Sequence, residues 1–114
     1  MVCLKDHVDR AHLRFYGFKT GRQLAEEGVP RFAGDGYRWK QDIYYKLVTD
    51  EETGEYRFTE DDNPIGELYV ASNGEINLNL CPDCTYHIDN WDFQELLDTI
   101  GTMFQDGLLE VIAV

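Results

Sequence analysis

Every cysteine and histidine of the chain falls in one of two short windows. One holds Cys3, His7 and His12. The other runs Cys81-Pro82-Asp83-Cys84-Thr85-Tyr86-His87. Cys-x-x-Cys-x-x-His sets two thiols on one tight turn with an imidazole close behind, which is a zinc-type ligand set of three. Cys3, or else His7, could supply the fourth ligand if an N-terminal helix folds over that loop. The candidate metal residues are therefore Cys81, Cys84, His87 and Cys3, and the candidate cofactor is a structural zinc ion. The pattern lacks the second paired motif of a zinc finger, and free cysteines commonly just pack in cores. The plainer expectation is a chain without a cofactor.

The Cys-Pro-Asp-Cys run also resembles the redox motif of glutaredoxin-like proteins. That chemistry needs the first thiol at a helix N-terminus, where its thiolate is stabilised. Here the best predicted helix begins several residues later. Pro30, Pro64 and Pro82 are the only prolines, so none follows the motif to take the place of the cis-proline of those folds. No glycine-rich phosphate loop, Gly-x-Ser-x-Gly elbow or His-Glu-x-x-His is present. The chain is expected not to be an enzyme, and no catalytic residue is assigned.

Carboxylates are the second chemical resource. The formal net charge is −12, and its distribution is uneven. Residues 1–46 hold nine Lys/Arg against six Asp/Glu, a net of +3; residues 47–114 hold Arg57 against sixteen acids, a net of −15. Seven of these acids cluster in two predicted loops: Asp50, Glu51, Glu52, Glu55, Glu60, Asp61 and Asp62. They lack the alternating Asp spacing and glycine of an EF-hand. They read either as solvated turns or as a row of carboxylates presented to a basic groove. Free nucleic acid is disfavoured as a ligand, because phosphate contacts need clustered Lys/Arg. A basic protein partner is favoured, such as a nuclease or a nucleic-acid-binding protein. At the level of class alone, the chain is similar to small acidic phage inhibitors of host nucleases (anti-CRISPR and anti-restriction proteins) and to immunity proteins that neutralise nuclease toxins. That similarity implies an inhibitor and assigns no site. A small zinc-stabilised interaction or regulatory domain is the reading from a different class. Trp39, Tyr44 and Trp91 are aromatic alternatives for an interface.

The elements that must hold these residues follow from pattern and punctuation. The 114 residues suit a single compact domain, 1–114. Hydrophobic residues make up 43%, enough for a core. No apolar run is long enough for a membrane span and no leader peptide is evident, so a cytoplasmic protein is expected. Residues 3–15 and Thr20 to Glu27 are predicted helices, the second capped by Thr20 and ended at Gly28. Tyr37 to Val48 reads as a strand with Tyr37, Trp39, Ile43, Tyr45 and Leu47 on its inner face and Lys46 on the wet one. Residues 50–54 form a turn, with Tyr56 and Phe58 in a short returning strand. Ile65 to Ala71 and Glu75 to Leu80 make a hairpin joined by Ser72-Asn73-Gly74, where Asn-Gly supplies the positive φ angles of the turn, with Ile76, Leu78 and Leu80 buried. Asn90 to Asp106 is an amphipathic helix with Phe93, Leu96, Leu97, Ile100, Met103 and Phe104 inward. Leu108 to Val114 is a final strand, buried on both faces or central. The expected fold is α+β: an antiparallel sheet of about five strands packed against two N-terminal helices and one long C-terminal helix.

Overall fold

The computed structural model describes residues 1–32, 41–80 and 90–113, with side chains of the last stretch described from Gln94 onward. It is α+β, with antiparallel sheets. In chain order the elements are β1 (Val2–Leu4), a 3-10 segment (Arg10–Tyr16), β2 (Lys19–Thr20), α1 (Gly21–Glu26), β3 (Tyr44–Leu47), β4 (Gly66–Val70), β5 (Ile76–Leu80), α2 (Asn90–Gln105) and β6 (Leu109–Val111). One sheet has the order β2-β3-β4-β5 and the other pairs β1 with β6. A bridge between Cys3 and Glu75 stitches the two together.

The β4–β5 hairpin pairs over five positions, and its turn is local chemistry. The Gly74 N–H donates to the Ala71 carbonyl at 2.9 Å, and the Asn73 carboxamide oxygen accepts from the Glu75 N–H at 3.0 Å. Gly74 alone in this turn takes a left-handed φ, +92°. The three-residue joint Ser72-Asn73-Gly74 is as the sequence suggests, but Asn73 does not share the positive φ expected of Asn-Gly: a single left-handed glycine closes the turn. Gly74 is buried because β1 crosses over it, with the Leu4 N–H donating to the Gly74 carbonyl at 2.9 Å.

Strand alternation sends β3 and β4 side chains to two different cores. Tyr44, Leu68 and Val70 join Val48, Leu4, Leu13, Phe18, Leu96, Met103, Leu108 and Leu109 in the larger one, beneath α2. Tyr45 and Leu47 join Leu24, Val29 and Phe32 in the smaller one, beneath α1. β3 is thus covered on both faces. Lys46, expected in water, has a side chain only 15% exposed.

Several expected elements are relocated. In place of an α-helix over residues 3–15 there is a strand and then the shorter 3-10 helix Arg10–Tyr16. Val2 and Leu4 pair instead with Val111 and Leu109, and Asp9 then caps the 3-10 segment by accepting from the Ala11 N–H at 3.0 Å. A long-range ladder outcompetes weak helical spacing. α1 forms where expected, because Thr20 and Gln23 make a reciprocal capping box. α2 also forms as expected, but its buried stripe is narrower. Leu96 and Met103 are fully buried, whereas Leu97 is 49% and Phe104 39% exposed. Leu78 is exposed too, because it lies on the outer strand of its sheet. The last strand is a short outer strand and not a central one: Leu109 is buried and Val111 lies in water. Tyr56 and Phe58 make isolated bridges, to Thr49 and Pro64, in place of a regular strand. No helix among the described residues is long and apolar enough to cross a membrane.

Candidate functional site: two acidic loops

The stretch from Glu55 to Phe58 is held by backbone bonds on both sides. The Asp50 N–H donates to the Glu55 carbonyl, the Arg57 N–H to Val48, and the Ile65 N–H to Arg57, at 2.7, 3.0 and 3.1 Å. The loop 50–55 therefore leaves one end of this stretch and the loop 59–63 the other. Tyr56 to Phe58 stand between the two loops in the chain. The acids thus belong to two loops.

Within each loop the acids have different roles. One carboxylate oxygen of Asp50 accepts from the Glu52 N–H at 2.8 Å and the Thr53 N–H at 3.1 Å. These two amides, Thr53 first, hold the Asp50 carboxyl below the ordinary carboxylate range. Asp50 fastens the turn. Glu51, Glu52 and Glu55 point into water. In the second loop the Thr59 hydroxyl oxygen accepts from the Asp61 and Asn63 N–H groups at 3.2 and 3.3 Å. The Arg31 guanidinium donates to the Asp61 backbone carbonyl at 3.0 Å, so it braces the loop without using its carboxylate. Asp62 sits at φ +61°, a conformation that Asp and Asn tolerate better than most residues. Glu60, Asp61 and Asp62 are exposed. Among the described residues, none of the six exposed loop carboxylates takes part in a salt bridge.

Of the proposed metal ligands, Cys81, Cys84 and His87 lie outside the described residues. Cys3 is buried in β1 with a free thiol. Its neighbours across the strands are Glu110 and Glu75, and Glu75 lies at the end of β5 opposite Leu80. His7 and His12 line a shallow depression of about 250 Å³ with Asp9 and Asp106, and the His12 ring packs against Phe15 at 5.0 Å. Among the described residues no group of three side chains is placed to hold a metal ion. Of the aromatics, Trp39 and Trp91 are outside the described side chains, and Tyr44 is half-buried against the larger core.

Sequence reasoning missed a polar group with several partners. Glu95 of α2 accepts from the Thr49 hydroxyl at 3.0 Å and the Thr49 N–H at 3.3 Å, and lies 3.8 Å from the Lys46 ammonium. The ammonium in turn lies against Gly17, where a Cβ would come within 2.6 Å of it. This seam ties α2 to β3. The one available signal was a lone lysine between apolar strand residues. A second tie, the Tyr16 hydroxyl donating to Asp106 at 2.7 Å, fixes the 3-10 segment to the end of α2. That bond raises the Tyr16 pKa above its ordinary value.

The basic N-terminal part has a depression of its own, about 320 Å³, where Arg14 and Arg22 face Gln23, Gln41 and Tyr44; Asp42 lies 3.8 Å from the Arg22 guanidinium. Compared with known proteins, the chain matches no family model, no curated sequence and no solved structure.

Proposed function

We propose that this chain is a non-enzymatic binding protein that docks through its acidic side on the basic, nucleic-acid-binding surface of a protein partner and excludes nucleic acid from it. The observation that carries this reading is the set of six exposed loop carboxylates, none of them in a salt bridge among the described residues, within a region of net charge −15. Unpaired exposed charge costs the fold little and leaves its field available to a partner, where it raises the rate of encounter. Inhibitors of host or toxin nucleases are the functional class that fits this chemistry.

The loop geometry dictates how to test it. Asp50 must stay, since it fastens its turn, so the first variant is Glu51→Lys with Glu52→Lys and Glu55→Lys. Asp62 must keep a residue tolerant of the left-handed region, so the second is Glu60→Lys with Asp61→Lys and Asp62→Asn. Both should melt with the wild type, because exposed loop changes rarely cost much. Capture of nucleic-acid-binding proteins from lysate should be strong at low salt and weak at high salt for the wild type, and reduced for at least one variant. Equal capture by all three proteins with equal salt dependence would reduce the acidity to solvation.

A further inference from the structure

The outward side of α2 carries a feature that the acidic loops do not account for. Leu97, Gly101 and Phe104 follow one another at i, i+4 and i+7, which places them on one stripe of the helix. Leu97 and Phe104 are 49% and 39% exposed, and apart from the helix's own neighbouring backbone no heavy atom among the described residues lies within 4 Å of where a Gly101 Cβ would be. Glycine inside a helix is unfavourable by about 1 kcal/mol relative to alanine. Nothing packed against Gly101 within the described fold requires it. A notch between two exposed apolar side chains suits close approach from outside.

Charge decides what could approach. From Phe58 to Val114 the chain has twelve acids and no Lys or Arg. Asp98, beside Leu97 in the chain, is exposed. A second copy would bring net −12 against net −12. A cationic partner meets no such repulsion. We infer that the Leu97–Gly101–Phe104 stripe is the apolar core of a docking surface for a cationic amphipathic segment of a protein partner. Interfaces combine a desolvated apolar centre with a charged rim in this way. The inference rests on the binding role proposed above and locates the contact that holds the partner once the acidic field has drawn it in.

The probe is a pair of synthetic helical peptides of equal positive charge, one with a leucine face and one with serines in its place. Fluorescence anisotropy should show the wild type binding the leucine peptide about tenfold or more tightly than the serine peptide, as expected for burying two apolar side chains. Leu97→Ser with Phe104→Ser should abolish that preference and keep the weak, salt-sensitive binding common to both peptides. Gly101→Lys is the control against unfolding: lysine is a better helix former than glycine, so the fold should hold while the preference disappears. Equal binding of the two peptides by the wild type overturns the inference. So does a preference that survives both variants, or a double variant that no longer folds. A wild-type dimer in sedimentation that the stripe variants dissociate overturns the choice of a cationic occupant. If the loop reversals leave the leucine preference intact but remove its salt dependence, the stripe stands. If they change neither peptide's binding, the loop reading fails by itself.

Discussion

The seam between α2 and β3 and the loops at 50–62 hold the same kind of side chain under opposite conditions. Glu95 is drawn in against Thr49 and a nearly buried Lys46. Glu51 and Glu60 stand in water. Both kinds enter the net charge equally, yet Glu95 is occupied within the fold, whereas Glu51 and Glu60 are in no salt bridge among the described residues. Net charge alone therefore counts Glu95, which is drawn into the seam, on the same footing as the exposed Asp98 of α2 and the exposed loop acids. The same contrast divides α2 itself, where Leu96 and Leu97 are chain neighbours with opposite surroundings. Each contrast can be broken by experiment.

The largest effect belongs to the helix. Leu96→Ala or Met103→Ala, both at fully buried positions, should cost about 2–5 kcal/mol in urea unfolding. Leu97→Ala, half exposed, should stay within roughly 1 kcal/mol. Comparable losses at positions 96 and 97 would mean that α2 is rotated from the orientation described.

The seam comes next. Glu95→Ala removes the acceptor of the Thr49 hydroxyl and the countercharge of Lys46, and should cost roughly 1.5–3 kcal/mol, the range for a hydrogen bond to a charged group. Glu51→Ala should change stability by no more than about 0.5 kcal/mol. A double-mutant cycle with Lys46→Met isolates the pair. If Glu95→Ala costs the same in the Lys46→Met background, Lys46 and Glu95 do not interact, and Thr49 alone accounts for the seam.

How much of this was legible beforehand depends on the distance over which each residue finds its partner. Thr20 and Gln23 cap α1 from three residues apart, and Asn73-Gly74 turns the hairpin by itself, so both could be read from the chain. β1 could not, because Val2 gains its partner only at Val111. Lys46 was placed in water by strand alternation. Nothing near it reveals that Glu95, on a helix much later in the chain, lies over that face. The helical period admitted Leu97 and Phe104 to the core as readily as Leu96 and Met103, and only the extent of the sheet beneath α2 separates them. The acidic loops were legible as exposed turns. Their internal division of labour was half legible: Asp50 followed by Thr53 is a local side-chain-to-backbone pattern, whereas the Arg31 brace on Asp61 comes from a distant segment.

The smallest predicted effect tests that division within one loop. The Asp50 carboxyl is held below its ordinary range by the Thr53 and Glu52 amides. A carboxyl lowered in this way stabilises the fold at every pH above its unfolded value, about 3.9, and the contribution fades as pH falls through the lower folded value. Asp50→Asn keeps a side-chain oxygen to accept the two amides but removes the charge that strengthens those bonds. The variant should therefore melt slightly below the wild type near neutral pH, and the two curves should converge under acid conditions. Glu51→Gln, at a carboxylate with no such partners, should give a difference from the wild type that does not follow this course. Amide exchange at Glu52 and Thr53 gives the local readout, with protection reduced in the Asp50 variant at neutral pH and equal to the wild type in acid. A melting difference for Asp50→Asn that stays constant from neutral to acid pH would show that the oxygen's position, and not its charge, fastens the turn. Asp50 could then join Glu51, Glu52 and Glu55 as a neutralisable member of the acidic patch.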